Sequence, residues 1–151
     1  MKDLIIKNIA DIEGQVRERD GNVFTVKPVV AGEDVDTCAA AFVEVPVGKY
    51  AFGYHFHDQS EEIFYIVSGT GKLRCFYGEK DVKAGDMLCF PTGEKGAHVV
   101  SNTSETETLV FIDFDVKAHK FDIVTSPDAN TIRVSGAHIQ EMFTLPEKKD
   151  A

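Results

Sequence analysis

Short hydrophobic runs rich in Val, Ile, Phe and Tyr recur along the chain between turn-forming Gly, Pro and Asp residues. This spacing, with little helical periodicity, predicts an all-β sandwich or barrel. The candidate strands span residues 23–30, 38–45, 50–57, 63–67, 72–77, 87–90, 98–101, 108–114, 121–124 and 131–134. Turn chemistry is found between them, at residues 31–34, 68–71, 78–81 and 84–86. Residues 11–19 and 138–143 are expected to form short helical turns at most.

The predicted strand 50–57 is hydrophobic on both faces. A strand with one face in solvent normally alternates hydrophobic and polar residues. One face of this strand carries four aromatic residues: Tyr50, Phe52, Tyr54 and Phe56. If the other face looks into a barrel, this aromatic face has to be covered by an added strand or a second subunit. We therefore predict a homodimer.

The composition is that of a globular protein, with 43% hydrophobic and 27% charged residues in 151. A chain of this length is expected to form one domain. We find neither a long hydrophobic stretch nor a signal-peptide pattern, so we expect a cytoplasmic protein without a membrane partner. The net charge of −9 argues against binding to nucleic acid. The three cysteines have no Cys-x-x-Cys pair and are expected to be buried free thiols.

Two histidines separated by one residue, His55 and His57, are the first candidate functional residues. In a strand their side chains point to the same face, with Cα atoms about 6.5 to 7 Å apart. Glu62 begins the next hydrophobic run, and an antiparallel neighbour would bring its carboxylate beside both rings. Two imidazoles and a carboxylate suit a transition metal. A His-x-His pair alone, however, is more often a surface or hydrogen-bonded pair.

The spacing around these residues resembles the first motif of the cupin superfamily, which is His-x-His, three or four residues, Glu, six residues and Gly. In this chain the motif starts at His55 and His57, continues at Glu62 and ends at Gly69. The family usually has a Gly six positions before the first histidine. Here Gly48 lies one residue earlier than that, which is expected to shift a turn and leave the ligands in place.

The second cupin motif is also present, at residues 85–93, followed by His98 and, four positions later, Asn102. Four residues, 94–97, separate the motif's last Gly from His98, where the common pattern has two. The loop is therefore longer than usual, and we expect it to reshape the rim of the pocket. The resemblance extends over residues 40–115.

The resemblance implies a double-stranded β-helix, or jelly-roll barrel, with one divalent transition metal held by three histidines and a glutamate. The implied ligands are His55, His57, Glu62 and His98, and the ion would be iron, manganese, nickel or zinc. It also implies a single cupin domain over residues 1–151, with an N-terminal arm at 1–39 and a C-terminal extension at 116–151. A closed barrel protects the edges of its strands, which fits a sequence with many short strands.

Some residues compete with this ligand set. Glu61 is the alternative to Glu62, but the six-residue interval to Gly69 and the strand parity favour Glu62. His119 and His138 lack ligand-like neighbours and are expected at the surface. Parity also predicts which residues line the interior: Phe64, Ile66, Leu73, Cys75, Tyr77 and Val100. No inward Lys or Arg is expected that would bind an anionic substrate.

Two classes of function fit these features. The first is a metal-dependent enzyme that acts on a small molecule, as a dioxygenase, an isomerase or a decarboxylase, with no catalytic residue assigned beyond the ligands. The second is a non-catalytic module that binds or senses a small molecule, because one fold serves many functions. The segment from residue 117 onward could close over the barrel mouth or brace the barrel.

Overall fold

The computed structural model describes residues 3–31, 34, 36–117, 119–136 and 138–146, which form thirteen β-strands. The strands are β1 (Gln15–Arg19), β2 (Asn22–Val30), β3 (Cys38–Val45), β4 (Tyr50–His57), β5 (Ser60–Ser68), β6 (Thr70–Cys75), β7 (Gly78–Lys83), β8 (Met87–Phe90), β9 (His98–Asn102), β10 (Leu109–Lys117), β11 (Phe121–Ser126), β12 (Thr131–Gly136) and β13 (Ile139–Thr144). Two short 3-10 helices, Ile9–Asp11 and Glu94–Gly96, are the helical segments of this part of the chain. None of its helices is long and apolar enough to span a lipid bilayer.

The strands form two antiparallel sheets that enclose the core. One sheet has the order β1-β2-β3-β10-β5-β8 and the other β13-β12-β11-β4-β9-β6-β7. Because the chain passes from one sheet to the other between β3, β4, β5 and β6, neighbours in sequence face each other across the barrel. The predicted all-β, double-stranded β-helix is confirmed.

Inward side chains of both sheets form the hydrophobic core. Its fully buried members are Val43, Val45, Phe64, Ile66, Val100, Leu109 and Phe111. Four of the predicted interior residues are buried: Phe64, Ile66, Leu73 and Val100. Cys75 is only half-buried, and Tyr77 is 70% exposed. The prediction for Tyr77 is wrong because β6 ends at Cys75 and the chain turns there into β7.

Several predicted elements need correction. Residues 15–19 and 139–144 form the outer strands β1 and β13 rather than helical turns, because each pairs with its hairpin neighbour. Residues 78–81 lie inside β7, so the turn before it occupies 76–77. The cysteines are free, as predicted, but Cys89 is exposed and the other two are half-buried. Positions 32, 33, 118, 137 and 147–151 of the predicted turn and C-terminal extension lie outside the described residues.

A bulge in β4 positions the histidines. Ala51 pairs with Val100 of β9, but His55 pairs with His98, so β4 advances four residues while β9 advances two. Phe52, with φ of 60°, and the following glycine, with φ of 79°, occupy the left-handed region and take up the two extra residues. Two extra residues leave the alternation of the strand unchanged. Ala51 before the bulge and His55 after it therefore both point into the barrel.

The aromatic face of β4 is only partly covered within one chain. Tyr50 and Phe52 are each 42% exposed, although the Phe52 ring contacts Phe24 edge-on at 4.9 Å. Tyr54 lies beneath the guanidinium of Arg74, which is 4.1 Å from its ring centre. The homodimer stays a prediction.

Candidate metal centre

The carboxylate of Glu62 is surrounded by three imidazole rings from neighbouring strands. Its Oε2 atom lies 3.2 Å from Nε2 of His98, 3.4 Å from Nε2 of His57 and 3.7 Å from Nε2 of His55. Strand β4 contributes His55 and His57, β5 contributes Glu62, and β9 contributes His98. All four side chains are almost entirely buried: the side chain of His57 is the most exposed, at 11%.

The other nitrogen of each ring, Nδ1, is already occupied. Nδ1 of His55 is 2.9 Å from the carbonyl oxygen of Gly53, and Nδ1 of His98 is 2.8 Å from that of Gly96. Because a carbonyl can only accept, both Nδ1 atoms carry hydrogen and donate it. In the neutral tautomer Nε2 is then left with its lone pair pointing toward Glu62. This arrangement prepares both rings to bind a cation through Nε2.

Aromatic packing fixes the orientation of the His98 ring. The ring stacks on Phe90 with centres 3.6 Å apart and an interplanar angle of 12°. Phe64 contacts the same ring edge-on, at 5.2 Å and 86°. His98 therefore has little freedom to rotate away from Glu62.

The electrostatic environment shifts the pKa values of His55 and His57 in opposite directions. Burial lowers the pKa of His55 to about 4, so this ring is neutral at pH 7. Burial would also lower the pKa of His57, but its hydrogen bond to Asp122 and the adjacent carboxylate of Glu62 outweigh that effect and raise the pKa to about 10. Burial would raise the pKa of Glu62, yet the adjacent rings of His57 and His98 hold it well below its usual value. A cation that binds Nε2 of His57 would displace the proton from that nitrogen.

Two buried polar atoms in the centre fit a metal ion. Oε2 of Glu62 and Nε2 of His98 have no hydrogen-bond partner although both are inaccessible to solvent. Unsatisfied buried polar atoms are rare in folded proteins and call for an explanation. His55, Glu62 and His98 can offer one ligand atom each, all within 4.8 Å of one another. A cation between them would satisfy both unpartnered atoms.

A further carboxylate, which the sequence did not reveal as a site residue, adjoins this group. Asp115 of β10 pairs in register with Glu62 of β5. Its carboxylate, Glu62 and His57 also have ligand atoms within 4.8 Å of one another. Asp113, two residues earlier, is 9% exposed. The alternation of Phe111, Asp113 and Asp115 in a hydrophobic strand is the signal that could have identified both carboxylates as inward-facing.

The remaining candidates lie where the sequence predicts. Glu61 is exposed, so parity selects Glu62 for the interior. His119 and His138 are exposed at the surface. The long loop before His98 contains the 3-10 helix Glu94–Gly96, whose last residue supplies the carbonyl bound to the His98 ring.

Comparisons with known proteins agree with this architecture. A family model described as "Cupin domain" matches residues 41–115. An uncharacterized protein of Aquifex aeolicus is 31% identical over 106 residues, which are 70% of this chain and 83% of that protein. A "probable oxalate decarboxylase" of Arthroderma benhamiae is 33% identical over 82 residues, and the match spans 51% of this chain but only 20% of that longer protein.

A solved structure shares nearly the whole fold. The crystal structure of a "putative sugar phosphate isomerase" from Acidithiobacillus ferrooxidans has a TM-score of 0.78 and 24% identity, and the alignment covers 95% of this chain and 92% of that one. This likeness concerns the fold, while the motifs and the family model concern the sequence. On the sequence evidence the chain belongs to the cupin superfamily.

Proposed function

We propose that His55, His57, Glu62 and His98 hold one divalent transition metal and that the chain is a metal-dependent enzyme acting on a small molecule. The convergence of three Nε2 atoms on one buried carboxylate oxygen supports this most directly. Such a cluster is unfavourable in a barrel core unless a cation binds it. Three imidazoles and one carboxylate are donors that iron, manganese, nickel and zinc accept.

A bound ion of this kind would act as a Lewis acid toward an oxygen of the substrate. The protein's own contribution is to hold the four donors in place and to surround them with aromatic side chains. Phe64 and Phe90 pack against His98 and exclude water from that side. The proposed substrate therefore approaches on the side of His57, the more exposed ligand.

Asp115 favours an enzyme over a binding module. A carboxylate beside the ligands, in contact range of His57 and Glu62, is a candidate general base for moving a proton to or from the substrate. Isomerisation and decarboxylation both need such a transfer, and relatives with those two names are among the similar proteins. We propose this reaction class, with Asp115 as the proton carrier.

Elemental analysis of the protein, purified without an affinity tag or chelator, tests the metal. We expect about one transition-metal ion per chain. The variant His57→Ala is expected to lose the ion and to keep the folded barrel, whereas His138→Ala, at an exposed position, is expected to retain it. A wild-type content near zero that added metal cannot raise would overturn the proposal.

The variant Asp115→Asn separates catalysis from binding. Sugar phosphates and small dicarboxylates are the first substrates to test with the metal-loaded protein. We expect Asp115→Asn to keep the metal and to lose turnover by about a hundredfold or more, as is usual for a general base. Equal turnover in the variant would remove Asp115 from the reaction. Saturable binding of these compounds to metal-loaded wild type without any turnover would favour a sensor or carrier instead.

A further inference from the structure

We infer that Asp122, on strand β11 beyond the region matched by the family model, is a positioning residue of the metal centre. This inference rests on the proposed function, because it assumes that His57 is a metal ligand. If Asp122 has this role, the C-terminal strands contribute a residue to the metal centre and do not serve only to extend the barrel. Asp122 lies 65 residues after His57 in the chain.

Both oxygens of the Asp122 carboxylate are engaged. Oδ2 accepts a hydrogen bond from Nδ1 of His57 at 2.5 Å. Oδ1 accepts from the backbone N–H groups of Gln59, at 2.9 Å, and Ile123, at 2.8 Å. The side chain is 13% exposed. With both oxygens fixed, the carboxylate holds the His57 ring at one rotation and leaves Nε2 facing Glu62.

His57 differs from the other two histidines in the origin of this partner. His55 and His98 donate to carbonyls two residues away, at Gly53 and Gly96, so their own loops orient them. The His57 ring instead depends on the docking of β11, which pairs with β4 through Val124 opposite His57 and one further residue pair. A carboxylate partner also makes the imidazole a stronger donor to a cation than a carbonyl does.

A second contact ties the same C-terminal strands to the barrel without touching the metal centre. Asp128 and Arg74 form a bidentate ion pair with two hydrogen bonds, whose N···O distances are 2.6 and 3.0 Å. Both side chains are about half exposed, at 46% for Arg74 and 53% for Asp128. Asp128→Asn is therefore a matched control: it weakens a tether of the same strands but leaves the His57 contact intact.

The test is the dissociation constant for Zn²⁺, measured by competition with a chromophoric chelator on the full chain. We expect Asp122→Asn to weaken Zn²⁺ binding by about 10 to 100-fold, the usual effect of losing the outer partner of a ligating histidine. Asp128→Asn is expected to bind within about twofold of wild type. Thermal melting in excess chelator is expected to show that both variants are folded at the temperature of the titration, with the lower midpoint for Asp122→Asn because its side chain is the more buried of the two.

Three other results would overturn the inference, and they differ in meaning. If wild type binds one Zn²⁺ and Asp122→Asn binds it equally well, Asp122 does not position His57, and the proposed metal centre stands. If both variants lose affinity alike, docking of the strands matters and the carboxylate does not. If wild type binds no metal, the proposed function fails and the inference fails with it.

Discussion

Replacement of Gly96 by alanine tests whether the long loop before His98 supports the proposed metal centre. Gly96 is buried at the end of the 3-10 helix Glu94–Gly96. Its carbonyl accepts the hydrogen bond from Nδ1 of His98 at 2.8 Å. The substitution therefore perturbs the orientation of a proposed ligand, His98, without changing any of the four proposed ligands.

The size of the perturbation follows from the packing. A Cβ atom on Gly96 would lie 1.8 Å from the carbonyl oxygen of Pro91. Because a carbon normally stays about 3.3 Å from such an oxygen, one backbone segment must move by roughly 1.5 Å. Overpacking typically destabilises by about 1 to 3 kcal/mol, and a clash between two backbone segments belongs at the upper end. For a chain of this size, about 3 kcal/mol lowers Tm by roughly 6 to 12 °C.

Two measurements check this expectation. Urea denaturation in excess chelator gives the free energy of unfolding, and competition with a chelator gives the Zn²⁺ dissociation constant. We expect Gly96→Ala to lower the free energy of unfolding by about 3 kcal/mol and to weaken Zn²⁺ binding at least about tenfold. Lys95→Ala, an exposed position in the same helix, is expected to stay within about 0.5 kcal/mol of wild type. If the two variants behave alike, the loop does not support the centre.

Four further outcomes are expected. Phe64→Ala removes a side chain that is 1% exposed and stacked on Phe111 at 4.6 Å, so it should lower the free energy of unfolding by about 3 to 5 kcal/mol in a urea titration; a loss below about 1 kcal/mol would contradict this packing. Asn102→Ala removes the donor to the carbonyl of Val45 at 2.8 Å and should lower the free energy of unfolding by about 1 to 3 kcal/mol in the same assay. An unchanged free energy of unfolding would contradict this and would mean that water replaces the amide. Zn²⁺ at a hundred times its dissociation constant should stabilise wild type by about 2.7 kcal/mol, reversibly with chelator, and an unchanged melting curve would argue against specific binding. Light scattering should give the mass of a dimer, which Tyr50→Ser should weaken if the exposed face of β4 is the interface; a monomeric wild type would end this prediction.

Strand parity explains why the inward residues were predictable. The choice of Glu62 over Glu61 needs only the alternation of a strand, and the structure buries the first and exposes the second. The bulge at Phe52 was not predictable. It did not change which residues face inward, because an insertion of two residues preserves the alternation of the strand. The end of β6 decided the orientation of Tyr77, and sequence patterns locate strand ends poorly.

Contacts between distant strands could not be predicted in this way. Asp122 meets His57 because β11 pairs with the end of β4, and nothing in the sequence near either residue encodes that pairing. Strand β7 was also missed, because its exposed polar residues lack the hydrophobic alternation on which strand prediction depends. The hydrophobic pattern thus reports burial, while the partner of a polar side chain depends on the topology.

The interior of the barrel changes from hydrophobic to polar along its strands, and this gradient separates stability from function. At one end the inward residues are Ala51, Ile66, Val100, Leu109 and Phe111, and at the other they are His55, Glu62, His98, Asp113 and Asp115. The change occurs within single strands, as between Ile66 and Glu62 in β5, which pair with Phe111 and Asp115 in β10. Polar residues in a core lower stability unless they are paired, so proteins usually retain such groups where a function needs them. Substitutions at the hydrophobic end should therefore change the free energy of unfolding first, and substitutions at the polar end should change metal affinity first.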